Sequence, residues 1–367
     1  MTVKSIDDSI CQLSVNLVDK INFASHQSAF SVLRELRVEN SSDTMLENIE
    51  IRLTSSPSFL KGKTWTIDRL AANGALPIKD RDLELDGGFL MGLTESISGS
   101  VAIEVRKGDE VLAESEHKIE LLAHNEWGGS EYMPELLAAF CMPNNKAVDR
   151  ILKDASRVLR NAGKADQIDG YVSKSRERVW SIASAIYSAI ANLQLSYALP
   201  PSSFERNGQK IRFPNQVLES GLGTCLDTTM LFAAAFEQAG LNPLVVLKEG
   251  HALVGLWLHP EELSAISTDE AEVLRKRLPD HDLILIETTL VTNHPAVSFS
   301  KAIEKGNRAV AIEEENQFNM AIDIRRARAH QIRPLGFVQK DTSSDAGEDA
   351  PDVYETALEE APNLPDF

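Results

Sequence analysis

The chain has 367 residues, 43% of them hydrophobic, and a net charge of −18, a make-up that suits a globular protein long enough for two domains. No apolar run approaches the roughly 18 residues of a membrane span, and Met1-Thr2-Val3-Lys4-Ser5-Ile6-Asp7-Asp8 lacks a signal-peptide core, so no membrane partner is expected. Residues 341–367 carry nine acidic side chains and no Lys or Arg, about half of the net charge, and the overall balance argues against direct nucleic-acid binding.

Residues 10–122 read as an all-β region. Ser14-Val15-Asn16-Leu17-Val18, the stretch 33–38 and Ile49-Glu50-Ile51-Arg52-Leu53 alternate with period two, and Asn40-Ser41-Ser42-Asp43 separates two of them as a turn. Val101-Ala102-Ile103-Glu104-Val105-Arg106 and the stretch 111–122 flank Lys107-Gly108-Asp109-Glu110, a hairpin signal. Strands at this spacing suggest an immunoglobulin-like β-sandwich without the Cys-Trp-Cys spacing of antibody domains. A glycine-containing linker at 124–130 leads into helical patterns. The stretch 147–162 puts Val148, Ile151, Leu152, Ala155, Val158 and Leu159 on one face, and 172–193 does the same with Val179, Ile182, Ala183, Ile186 and Ile190. Residues 200–209 read as a polar loop. The basic runs Lys174-Ser175-Arg176-Glu177-Arg178 and Arg325-Arg326-Ala327-Arg328 read as solvated helix faces. The expected division is a β-sandwich over 1–125, an α+β domain over 126–337, and an acidic disordered tail or linker over 338–367.

The chemistry concentrates in Gly221-Leu222-Gly223-Thr224-Cys225-Leu226-Asp227. An apolar helical pattern follows, with Leu231, Ala234, Ala235 and Ala239 in phase and Gly240 at its end. A cysteine in the first helical turn meets unpaired N–H groups and the positive end of the macrodipole, which favour thiolate over thiol. Downstream, 244–247 reads as a buried strand, Lys248-Glu249-Gly250 as a turn, and 251–258 as a strand that opens on His251. Leu283-Ile284-Leu285-Ile286 is a further strand ending in Glu287-Thr288-Thr289. The order is a nucleophile on a helix, a histidine at a strand start, and a carboxylate at a strand end, which is the logic of an activated nucleophile. Asp227 reads as a cap of its helix, with substrate contact as the sharper alternative. Asn215 or Gln216 could help stabilise an oxyanion beside the Cys225 amide. Cys11 and Cys141 read as packing residues. The three cysteines offer neither a disulfide framework nor metal spacing, so a reducing cytoplasm is expected, with no cofactor or metal.

This order resembles the transglutaminase-like superfamily, a branch of the papain-like cysteine enzymes. There a Gly-x-Cys helix start precedes a Gly-His-Ala strand, here Gly250-His251-Ala252, and an Asp-Pro-Thr type strand end supplies the third member. The resemblance covers about residues 130–335 and implies a papain-type α+β fold with Cys225 as nucleophile, His251 as base and Glu287 as orienting carboxylate. Glu287 departs from the pattern, since Asp followed by Pro is usual. Met133-Pro134-Glu135-Leu136-Leu137-Ala138-Ala139-Phe140, Lys174-Ser175-Arg176-Glu177-Arg178-Val179-Trp180, Tyr197-Ala198-Leu199-Pro200-Pro201 and Ile332-Arg333-Pro334-Leu335 are similar to the N-terminal region of large bacterial superfamily 1 helicase-related proteins. No Walker A pattern occurs, so ATP hydrolysis is not assigned to these residues.

Two functions from different classes follow. The first is cysteine-dependent acyl transfer on an amide of a peptide or protein substrate: peptide or isopeptide hydrolysis, or transamidation. The second is a catalytically inactive recognition module that regulates a linked or associated helicase or nuclease of a bacterial defence-type protein.

Overall fold

The computed structural model describes residues 10–336 and 357–367, and the chain forms two compact units, Met1–Gly128 and Gly129–Phe367. The architecture is α+β.

The first unit contains strands β1 (Cys11–Leu17), β2 (Lys20–Ile21), β3 (Leu33–Asn40), β4 (Leu46–Ser56), β5 (Lys63–Leu70), β6 (Ala75–Pro77), β7 (Ile97–Lys107) and β8 (Glu110–Leu121). They build one sheet in the order β1-β3-β6 and another in the order β2-β8-β7-β4-β5. The period-two pattern decides which side chains are inward: Ile49, Ile51 and Leu53 on β4 and Val101, Ile103 and Val105 on β7 are buried, while their neighbours are less so. The β7–β8 hairpin closes by pairing Lys107 with Glu110, and Gly108 supplies the left-handed residue of the turn at φ 58°.

The second unit is built on α1 (Lys146–Asn161), α2 (Arg176–Ala191), α3 (Pro214–Ser220), α4 (Cys225–Gln238) and α5 (Phe299–Asn307). Its strands are β9 (Ser196–Tyr197), β10 (Leu222–Gly223), β11 (Pro243–Lys248), β12 (His251–Trp257), β13 (Ser267–Thr268), β14 (Leu283–Ile286) and β15 (Phe318–Asp323). Five of them form an antiparallel sheet in the order β13-β15-β11-β12-β14. The helix α4 is apolar on nearly every side, as a helix enclosed by a core must be. It crosses β11 and β12 and packs against α1 and α2 on its other flank.

The helix expected over 172–193 begins at Arg176 because the Ser175 hydroxyl caps it, accepting from the Arg178 amide at 3.4 Å. Residues 200–209 are not all polar loop: Phe204–Asn207 is a short helix with Phe204 and Glu205 buried. The basic runs are not simply solvated faces. Arg176 donates to the Asp282 carboxylate at 2.8 Å with its side chain largely enclosed, and Arg328 donates to Glu237 at 2.8 Å and to three backbone carbonyls. Arg176 ties the turn at 280–282, and Arg328 ties the end of α4 to the stretch 138–141. Of the tail expected over 338–367, residues 338–356 lie outside the described residues. The stretch 357–367 departs from the expectation of disorder: it lies against the second unit, with Leu364 buried.

The edge strand β14 is covered by α5, and this contact depends on a bare glycine. A Cβ placed on Gly306 would lie 2.3 Å from the Leu285 carbonyl oxygen. Gly306→Ala is therefore expected to destabilise the second unit by about 2 kcal/mol or more through forced separation of helix and strand. Denaturant titration of the variant against the parent measures it.

Candidate active site

Cys225 opens α4, and its position follows from the residues around it. Gly221 ends α3 in the left-handed region at φ 63°, where a side chain is strained. The chain then runs through β10 and turns into α4 at Thr224. Thr224 and Asp227 form a reciprocal capping box: the Asp227 amide donates to Thr224 Oγ1 at 3.2 Å, and the Thr224 amide donates to Asp227 Oδ2 at 2.9 Å. The Asp227 carboxylate also accepts from the Arg212 amide at 2.8 Å and its guanidinium at 2.9 Å. Its oxygens hold the loop before α3, which is the capping reading of this residue rather than substrate contact.

His251 begins β12, paired with Lys248 across a tight turn in which Gly250 takes φ 64°. The Gly250 amide donates to the buried carboxylate of Glu205 at 3.2 Å, fixing the turn that presents the imidazole. Glu287 leaves the end of β14 as the cap of a short 3₁₀ turn, Thr288–Thr292. One carboxylate oxygen, Oε1, accepts from the Thr289 amide at 3.1 Å and the Thr289 hydroxyl at 2.6 Å. The other, Oε2, accepts from His251 Nε2 at 2.8 Å. The hydroxyl of Thr288 lies 3.0 Å from that of Thr228 and 3.2 Å from that of Thr229, which fastens the Glu287 turn to the first turns of α4.

The imidazole meets the thiol as well. Burial disfavours the His251 cation, but hydrogen bonds to Cys225 and Glu287 outweigh it and raise the group from 6.5 to about 9. With Nε2 on the carboxylate, Nδ1 is the ring nitrogen that the carboxylate does not engage. Burial likewise opposes ionisation of Glu287, yet its bonds to His251 and Thr289 hold the carboxyl below the ordinary value. Cys225, His251 and Glu287 are thus brought together in one chain of contacts.

The two residues proposed for the oxyanion use their side-chain oxygens locally. Gln216 Oε1 accepts from the Phe213 amide at 2.9 Å and caps its own helix, and Asn215 Oδ1 accepts from Asn145 at 3.1 Å. The side chain that does reach the sulfur is Tyr197, whose hydroxyl is pushed up by burial and by its contact with Cys225. It arrives there because β9 pairs in parallel with β10, setting Tyr197 beside Gly223. Cys225 is fully buried, while Tyr197 is 39% exposed on the solvent side.

Burial disfavours the thiolate form of the other two cysteines. Burial raises the Cys11 thiol, and burial together with the adjacent Glu237 holds the Cys141 thiol well above its ordinary range. Compared with known proteins, the chain matches no family model and no curated protein.

Two outcomes follow. Asp227→Ala leaves the Thr224 and Arg212 amides without their acceptor, and an expected loss of about 2 kcal/mol is measurable by denaturant unfolding. The His251 imidazole should titrate near 9 by NMR and move down toward 6.5 in Glu287→Gln. The folded value lies above the unfolded one, so the protonated imidazole stabilises the fold fully below about 6.5. That contribution is lost as pH rises through about 9.

Proposed function

We propose that the second unit carries out cysteine-dependent acyl transfer on an amide, with a peptide or protein as substrate. The observation that carries this reading is a single imidazole bridging a helix-start thiol and a buried, doubly anchored carboxylate. In this reading the fold is papain-type, with helix, strand start and strand end contributing the three groups in that chain order. The two sheets of the first unit support an immunoglobulin-like sandwich.

The reaction balances as follows. The Cys225 thiol passes its proton to His251, the resulting thiolate sulfur attacks the amide carbonyl carbon, and the carbonyl π electrons move onto oxygen. That oxyanion lies at the amide end of α4, where helix geometry leaves N–H groups unpaired. As the carbon–nitrogen bond breaks, His251 gives its proton to the departing amine, leaving a thioester. Water or an amine then adds, His251 takes the proton, and the thiolate leaves. Glu287 holds the ring in the orientation that faces Nδ1 to sulfur, the role of the third member in nucleophilic triads.

A second reading has one observation in its favour. Cys225 is fully enclosed, as expected if the same three residues are a structural knot in a recognition module linked to a helicase or nuclease.

Alkylation separates the two. With iodoacetamide near neutral pH, Cys225 is expected to react faster than Cys11 and Cys141, as read by mass spectrometry. Turnover of a fluorogenic peptide or isopeptide library should vanish in Cys225→Ala and fall by about a hundredfold or more in His251→Ala. It should decline as pH rises through about 9, where the acid form of His251 is lost. Equal, slow labelling of all three cysteines, unaffected by His251→Ala, sinks the acyl-transfer reading and leaves the recognition module.

A further inference from the structure

The position of Glu287 depends on an edge strand. β14 lies at the outside of its sheet, so the N–H groups on its free side need partners. Two amides at the end of this edge find them on α5. The Leu285 amide donates to Asn307 Oδ1 at 3.0 Å, and the Glu287 amide donates to the Ala302 carbonyl at 3.0 Å. Gly306 lets the helix lie directly on Leu285. The helix α5 therefore sets where the chain leaves β14 and where the Glu287 carboxylate begins.

The start of α5 is itself incomplete within its own sequence. Its cap residue, Ser298, makes no side-chain capping hydrogen bond. The acceptor comes from Glu359. The Ser300 amide, second in the helix, donates to Glu359 Oε2 at 2.9 Å, and the Ser300 hydroxyl donates to the same oxygen. This is the bond that an N-cap side chain ordinarily supplies, here from a residue about sixty positions away, with a carboxylate at the positive end of the dipole.

Glu359 is held in turn by the rest of its segment. Its amide donates to Ser184 Oγ on α2 at 3.0 Å. Glu360 pairs with Lys164 at 3.0 Å, Leu364 is buried, and the Phe367 amide donates to the Lys174 carbonyl at 3.2 Å. The Phe367 ring lies against Tyr171 and His259. Polar and apolar attachments alternate along an extended stretch that has no regular structure of its own. The Tyr187 hydroxyl on α2 is pushed up by burial, then by Glu359, then by Glu287.

We propose that residues 357–367 form a docked strap and that Glu359, by capping α5, is a positioning residue for the His251–Glu287 pair. The proposal rests on the active-site reading above for its importance, but its physical content is an equilibrium property of the fold.

The test uses the full chain with Glu359→Ala, Glu359→Gln and Leu364→Asp. Loss of one cap should speed amide hydrogen exchange at Ser300 by about fivefold in Glu359→Ala, and less in Glu359→Gln, which keeps an acceptor oxygen. The His251 titration should shift downward from about 9 in Glu359→Ala. Leu364→Asp, which loosens the strap away from α5, should move both readouts in the same direction. In a Glu287→Gln background, Glu359→Ala should leave the His251 titration where Glu287→Gln alone put it, because the effect runs through that carboxylate. Unchanged exchange at Ser300 overturns the strap. Faster exchange with an unmoved His251 titration overturns the positioning role. Neither readout needs turnover, so an unreactive Cys225 beside shifted exchange and titration rejects acyl transfer and leaves this proposal standing.

Discussion

Glu287 brings a carboxylate into a wall of apolar strand and helix, where an ionised group without partners is costly. The surrounding structure answers that cost at every oxygen. Thr289 covers one with two donors, and His251 covers the other. The histidine can meet this demand only if β12 begins at the right place, which the Gly250 turn and Glu205 secure. The imidazole then has one nitrogen committed and one to offer. The thiol at the start of α4 is what it meets. A requirement of burial thereby fixes the tilt of the ring, because one nitrogen must stay on the carboxylate.

The same demand reaches outward through the backbone. Glu287 closes an edge strand, and an edge strand has unpaired amides. The helix α5 supplies acceptors for two of them, and a glycine is needed where helix and strand approach. Aromatic rings bind α5 to the interior: Phe299 lies 5.1 Å from Trp180 and 5.4 Å from Tyr187, which in turn lies 5.8 Å from Phe232 on α4. Helix α4 therefore feels α5 by two routes, through this aromatic stack and through the threonines that join it to the Glu287 turn. The polar route sets distances at the site, while the apolar route resists movement of the helices that carry it.

What could be read from sequence was local. A glycine-flanked cysteine before an apolar helix, a histidine opening a strand and a carboxylate closing one each announce themselves within a few residues. Alternation likewise marked β4 and the β7–β8 hairpin. What could not be read depended on contacts between distant segments. Tyr197 reaches the sulfur through a two-residue parallel pairing, too short to leave any periodicity. The helix α5 contains a glycine that weakens its helical signal, and the reason for that glycine lies in Leu285. Residues 357–367 share the acidic composition of the stretch before them, which hides Leu364 and Phe367. Arg176 and Arg328 looked like surface charge because their carboxylate partners, Asp282 and Glu237, lie far away in sequence. The Gln216 oxygen caps helix α3 and the Asn215 oxygen meets Asn145, a partner seventy positions earlier.

The enclosure of Cys225 restricts how any substrate could reach it. Of the groups around the sulfur, α4 is core, and His251 is tied to Glu287 and to the β12 ladder. Displacing either breaks buried hydrogen bonds and tight packing at once. Tyr197 is held differently. Its strand has two residues, its ring is partly exposed, and the chain beyond it runs through exposed Leu199 into Pro200 and Pro201. Swinging it aside breaks a two-residue ladder. The easiest opening to the sulfur is thus the one that removes the phenol, and it leaves the imidazole and carboxylate in place.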